Sequence, residues 1–167
     1  MFTTSFAGIY LPLGGFFLSF LSMNSTLLNA KEISRAISRI SHEILERNQG
    51  AGNIALVGIR TRGVALSQRL RDKIKDIENL TVDHGVLDIT LYRDDLTKRL
   101  QKPALKKTEI LFALEKKHIV LCDDVLFTGR TIRAAIDALM DFGRPSSVQL
   151  AVLIDRGHRE LPIRPDY

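Results

Sequence analysis

A single cysteine, Cys122, no tryptophan and five prolines among 167 residues remove several function classes at once. One thiol forms neither an intramolecular disulfide framework nor a Cys-rich metal site, so secreted disulfide scaffolds and zinc modules are excluded. Cys122 sits inside the apolar run Ile119-Val120-Leu121-Cys122, and a reducing, cytoplasmic compartment fits such a chain. No G-x-x-x-x-G-K-[ST] sequence occurs, which removes the P-loop triphosphate site. Residues 1–22 contain no Lys or Arg, so they lack the basic start of a signal peptide. Their apolar stretch, 9–18, falls short of the roughly 20 unbroken residues of a membrane span, and no membrane partner is expected. These 22 residues are read as an upstream extension foreign to the native protein, with Met23 as initiator, or as an unstructured leader. A weak targeting segment or tether is the remaining alternative, and residues 23–167 are taken as the domain.

What is present is ordinary for one globular domain: 26% charged and 45% hydrophobic residues over a length that buries a core without staples. Twenty-four Lys and Arg against nineteen acids leave +5, which suits a phosphate or a nucleic acid without choosing between them. Asn29 is placed to cap a helix, Glu32 stands three residues later, and Ile33, Ala36, Ile37, Ile40 and Ile44 form one apolar stripe that Gly50 and Gly52 end. Arg35, Arg39, His42 and Glu46 fall on the opposite face. A strand is predicted at 54–59, followed by the loop Arg60-Thr61-Arg62-Gly63 and a helix carrying Val64, Leu66, Leu70 and Ile74. Alternation predicts a second strand at 86–92. The stretch 93–109 then carries Lys98, Arg99, Lys102, Lys106 and Lys107 with little periodicity, a length usual for a lid. A third strand at 118–122, a helix at 130–142 closed by Gly143 and Pro145, and a fourth strand at 148–154 complete the pattern. Strands alternating with helices, with continuous apolar runs, imply an α/β fold with a doubly wound parallel sheet.

Ligands of such sheets collect beyond the carboxyl ends of the strands. There the sequence places Asp123 and Asp124, expected to emerge together and face the surface, where their mutual repulsion calls for a cationic or hydroxyl-rich guest. A ribose diol with an associated Mg²⁺ would serve. Thr128-Gly129-Arg130-Thr131 then turns into a helix whose N–H groups and dipole attract an anion such as a 5-phosphate. Acids for a sugar beside donors for a phosphate describe a phosphorylated pentose.

The run Ile119-Val120-Leu121-Cys122-Asp123-Asp124-Val125-Leu126-Phe127-Thr128-Gly129-Arg130-Thr131 is similar to the phosphoribosyl pyrophosphate (PRPP) signature of type I phosphoribosyltransferases. The resemblance implies the doubly wound sheet of that family with a small hood region. It implies that Asp123 and Asp124 act on the ribose as the catalytic pair, and that Val125, Leu126, Phe127, Thr128, Gly129, Arg130 and Thr131 complete the PRPP site. Arg60, Thr61 and Arg62 would hold pyrophosphate, Arg93 would belong to the covering loop, and Mg²⁺ would arrive with PRPP instead of occupying a protein metal site. No general base is evident.

From about residue 27 to 167 the chain also resembles the bifunctional pyrimidine-operon attenuation regulators that are uracil phosphoribosyltransferases. The likeness rests on Asp137-Ala138-Leu139-Met140-Asp141-Phe142-Gly143-Arg144-Pro145 and on Asp155-Arg156-Gly157-His158-Arg159-Glu160-Leu161-Pro162-Ile163-Arg164. It implies conversion of uracil and PRPP to UMP and pyrophosphate, with Arg156 near base and phosphate. It also implies UMP-dependent binding of a stem-loop in the pyrimidine-operon mRNA leader through Ser38, His42, Arg159 and Arg164, and a homo-oligomer, dimeric or larger. The family pattern continues past residue 167, and residues 1–22 are foreign to it. Two other readings remain open here: a catalytically weak, nucleotide-sensing RNA attenuator, and a purine salvage phosphoribosyltransferase.

Overall fold

The structure is a computed structural model that describes residues 27–92 and 108–167. The leader and the basic stretch 93–107, with Arg93, lie outside the described residues. Helix α1 (Ala30–Asn48) begins with the expected capping box: Asn29 Oδ1 accepts from the N–H groups of Lys31 and Glu32 at 2.9 and 3.0 Å, and Glu32 accepts from Asn29 N–H at 2.7 Å. Three donors orphaned by helix geometry are thereby satisfied. Its apolar stripe is buried at Ile33, Ile37, Ile40 and Ile44, and Arg35, Arg39, His42 and Glu46 are exposed. Gln49, not a glycine, takes the left-handed conformation at its end, and Gly50 N–H returns to Leu45 O at 2.9 Å.

Four strands, β1 (Ile54–Ile59), β2 (Asp83–Leu87), β3 (His118–Leu126) and β4 (Ser147–Asp155), pair in parallel in the order β2-β1-β3-β4. Helix α2 (Arg62–Glu78) links β1 to β2, and α3 (Arg130–Met140) links β3 to β4. Both faces are covered. Leu56, Val120, Cys122 and Ala151 pack with α1 and α2, whereas Ala55, Val57, Ile119, Leu121 and Val152 pack with α3. This is why the strands read as unbroken apolar runs instead of alternating ones. The chain winds one way from β1 and the other way from β3, so the topological switch point lies between the carboxyl ends of β1 and β3.

The second and third strands differ in extent from the 86–92 and 118–122 expected. The second strand is Asp83–Leu87 and stops before Asp88, whose carboxylate accepts from Thr90 N–H at 3.0 Å and Thr90 Oγ1 at 2.6 Å. That local bond bends residues 90–92 into a 3₁₀ turn, so Leu91 is 66% exposed while Ile89 stays buried. The third strand runs on to Leu126 because β4 continues beside it, with Asp123 opposite Val152 and Val125 opposite Ile154.

Within the α2 face, Ser67 Oγ donates to Val64 O and lies 2.9 Å from His84 Nε2, which leaves the imidazole to donate. Burial holds His84 below its ordinary pKa of 6.5; nearby Arg71 adds to this and Asp72 opposes it. Protons bind the unfolded chain more readily, so this contribution is full above the ordinary value and is lost as pH falls through and below it. His84→Gln is therefore expected to flatten the fall in stability between about pH 7.5 and about pH 5. Urea midpoints of the two proteins at both pH values check this.

Candidate active site

The loop after β1 is pressed onto β3. A Cβ on Gly63 would stand 2.1 Å from Cys122 O, 3.0 Å from Cys122 C and 3.2 Å from Asp123 Cα, so only glycine lets the first turn of α2 approach the acids. From that turn Arg62 reaches Asp124 at 3.3 Å. Arg60 binds back to the sheet through its N–H to Leu87 O at 3.0 Å, and its guanidinium meets Glu109 at 3.2 Å. The Arg60–Thr61 peptide bond is cis, and Thr61 precedes α2 without a side-chain cap bond. The structure thus brings Arg60, Thr61, Arg62 and Asp124 to the switch point. Glu109 escapes a reading of the sequence because nothing local distinguishes it at the end of the basic stretch.

The pair of surface-facing acids is corrected. Both lie within β3, and successive strand residues point to opposite sides of a sheet. Asp123 is only 8% exposed, and its Oδ1 accepts the Asp124 N–H at 2.9 Å. Asp124 is half-buried and faces Arg62. The strand run through Val125 and Leu126 also makes Leu126 a core side chain at 1% exposure, so backbone is what it can offer a ligand.

Beyond β3 the chain turns through Phe127, Thr128 and Gly129 into α3. Gly129 has φ 92°, a left-handed value that favours glycine, and its Cβ position faces Leu161 and Ile163 at 3.3 and 3.4 Å. Gly129, the N-cap residue of α3, has no side chain to cap it. Arg130 N–H reaches Thr128 Oγ1 at 3.4 Å, and the first-turn N–H groups have no acceptor within the helix, which makes this end attractive to an anion. The Phe127 ring is partly exposed, with the Arg156 guanidinium 4.2 Å from its centroid and His158 edge-on at 6.2 Å. Arg130 pairs with Glu160 at 2.6 Å.

Residues 156–163 lie along this turn. Arg156 N–H donates to Leu126 O at 2.9 Å, while the N–H groups of Glu160 and Leu161 donate to Thr128 O at 3.0 and 3.1 Å. Arg159 is part of the same contact, bonding Phe127 O at 2.7 Å and Asp155 Oδ1 at 2.5 Å. The Arg159 bond, helped by Gly157 N–H, holds the Asp155 carboxyl below its ordinary range.

Other RNA-contact expectations lie elsewhere. Ser38 and His42 are on α1, the sheet face opposite α3, and His42 and Arg164 are exposed. Ser38 lines a groove of about 490 Å³ between α1 and α2, with Arg35, Arg69, Lys73, Asp72 and Asp76. Among the described residues no group of three His, Cys, Asp or Glu side chains is arranged to hold a metal ion. Asp124 suits Mg²⁺ delivered on a polyphosphate, since that ion usually takes one or two carboxylates and completes its shell with water and phosphate oxygens, whereas the buried Asp123 carboxylate holds the Asp124 N–H. Among the described residues no helix is long and apolar enough to cross a membrane.

The phosphoribosyl transferase domain family model matches residues 23–167. A curated relative from Pelotomaculum thermopropionicum, "Bifunctional protein PyrR", is 61% identical over 141 residues, covering 84% of this chain and 78% of that protein. The chain belongs to the PyrR family. A PyrR relative from Deinococcus radiodurans is 55% identical over 143 residues, covering 86% of this chain and 78% of its own length. Among solved structures, a hypoxanthine-guanine phosphoribosyltransferase from Bacillus anthracis superposes with a TM-score of 0.68 at 16% identity, covering 88% of this chain and 83% of that one. That likeness establishes the shared fold. As a PyrR-family member the chain is a phosphoribosyltransferase, and the expected doubly wound sheet is the one observed.

Proposed function

We propose that this PyrR-family chain converts uracil and PRPP to UMP and pyrophosphate, and regulates pyrimidine-biosynthesis operons by UMP-dependent binding to the mRNA leader. The observation that carries the transferase half is the meeting, at one switch point, of a cationic loop, the acids of β3 and the uncapped start of α3.

In this reading the backbone N–H groups and hydroxyls at Thr128, Gly129, Arg130 and Thr131 receive the 5-phosphate. Asp124 turns to the ribose hydroxyls, and Asp123 fixes it by accepting its N–H. Arg60, Thr61 and Arg62 take the pyrophosphate. PRPP must therefore exchange with the Arg62–Asp124 pair. The Arg62 side chain is 55% exposed but that of Asp124 only 19%, so the hydroxyls and cation that PRPP brings must replace the pairing Asp124 gives up. Mg²⁺ carried by PRPP would share the pyrophosphate charge. As the bond from C1 to pyrophosphate breaks and uracil N1 bonds to C1, its proton passing to solvent or the departing pyrophosphate, the Asp124 carboxylate held beside the sugar stabilises positive charge at C1. Arg156, beside Phe127, would flank the base in this reading. Arg93 belongs, on this reading, to a segment that closes over PRPP and excludes water.

For regulation, exposed His42 and Arg164, with Ser38 and Arg159, are the proposed RNA contacts. A cytoplasmic setting, a homo-oligomer and a working domain of residues 23–167 belong to the same proposal. Uracil-dependent UMP formation, run beside a leader-RNA gel shift on one preparation, tests both halves. UMP formation together with a salt-sensitive shift that tightens with UMP supports the reading. Tight UMP and RNA binding without turnover would leave only a nucleotide-sensing attenuator, and turnover of a purine base in preference to uracil would overturn the pyrimidine assignment. His42→Ala is expected to weaken RNA binding by about tenfold, the equivalent of about 1.4 kcal/mol, with UMP synthesis unchanged.

A further inference from the structure

Arg159 carries five N–H donors in a rigid plane. Four hydrogen bonds use them internally: Nε donates to Ile163 O at 2.8 Å, Nη1 to Phe127 O at 2.7 Å and Gly157 O at 3.2 Å, and Nη2 to Asp155 Oδ1 at 2.5 Å. Its side chain is only 21% exposed. These acceptors come from both sides of one contact. Asp155, Gly157 and Ile163 belong to the end of β4 and the segment after it, while Phe127 opens the turn into α3.

The Phe127 carbonyl matters for the residues that follow it. In a trans peptide the N–H points opposite to the carbonyl of the preceding residue. Fixing Phe127 O therefore fixes the direction of Thr128 N–H, and fixing Thr128 O fixes Gly129 N–H. Arg159 holds the first of these carbonyls, and the N–H groups of Glu160 and Leu161 hold the second. Both carbonyls are drawn toward residues 157–161, so the Thr128 and Gly129 N–H groups are directed away from that segment. Gly129 is in turn backed by Leu161 and Ile163, whose Cβ atoms lie 3.3 and 3.4 Å from its own Cβ position.

We infer that Arg159 is a positioning residue of the transferase site, which aims the N–H groups of the phosphate-binding turn by tying Phe127 to the segment after β4. This rests on the phosphoribosyltransferase reading above and adds to it a residue for which the sequence points only to RNA. A lysine cannot replace it, because one ammonium presents its donors from a single point and does not span four acceptors around a plane.

The test compares wild type, Arg159→Lys and Arg159→Gln in UMP synthesis, with PRPP and uracil varied separately. Both variants are expected to raise KM for PRPP by about tenfold or more, the equivalent of about 1.4 kcal/mol, with a smaller change in KM for uracil. The Thr128 and Gly129 amide resonances of the ligand-free protein are expected to move. Asp155→Asn, which weakens the clamp but keeps Arg159, should shift the same quantities less. It also carries the test should the Arg159 variants fail to fold. A folded Arg159→Gln protein, or failing that Asp155→Asn, with KM for PRPP within twofold of wild type would overturn the inference. So would loss of RNA binding alone, which would make Arg159 purely an RNA contact. Absence of UMP formation by the wild type would instead sink the underlying functional reading, so the two failures are distinguishable.

Discussion

Gly63→Ala is expected to reduce kcat/KM for PRPP by about 100-fold, although it adds only one methyl group. The new carbon would lie 2.1 Å from Cys122 O, and its other two nearest neighbours are also β3 backbone. None of these is the tip of a flexible side chain, so either α2 or β3 must retreat by about 1 Å. Displacements of that size in positioning elements are worth about 10²-fold in rate. The retreat separates Arg62 from Asp124 and moves the pyrophosphate loop away from the sugar acids. Overpacking of a tight site also costs about 1–3 kcal/mol of stability. Steady-state kinetics with varied PRPP, beside a thermal melt, separate the two effects: a folded Gly63→Ala protein with normal kcat/KM would show that the close approach is irrelevant to the site.

Asp124→Asn is expected to lower kcat/KM for UMP formation by about 10²–10³-fold, the usual scale for removing one preorganised electrostatic partner of a transition state. The amide is nearly isosteric, and Asp124 is half-buried at the end of β3, so the fold should persist. Replacing Asp123 is a different experiment. Its carboxylate is buried and holds the Asp124 N–H, so Asp123→Asn tests the support of the site as well as its charge. Single-variant kinetics for UMP synthesis, with PRPP affinity measured by calorimetry, check both. Unchanged turnover in Asp124→Asn would remove that residue from the chemistry.

Much of the molecule is legible from local pattern. The α1 cap, its stripe and the four parallel strands follow from spacing rules that tertiary packing merely completes. The residue types of the β3–α3 turn suggest a sugar phosphate, acids for the sugar and turn donors for the phosphate, and the resemblance narrows that to PRPP. What escapes local pattern is set by partners far along the chain. Asp123 reads as exposed until β4 is seen running beside it as far as Asp155, opposite Leu126. Likewise Arg159 reads as a surface cation until residues 155–163 are seen folded against Phe127. The second strand departs from its expected extent for a local reason, because alternation through Ile89 and Leu91 continues past the side-chain bond between Asp88 and Thr90 that ends it.

The most direct measurement is an amide-resolved NMR titration of the folded protein with PRPP and Mg²⁺. The account predicts large, saturable shifts at Thr128, Gly129, Arg130 and Thr131, the residues that lead from β3 into α3. Resonances of those four residues left in place at saturating ligand would contradict it.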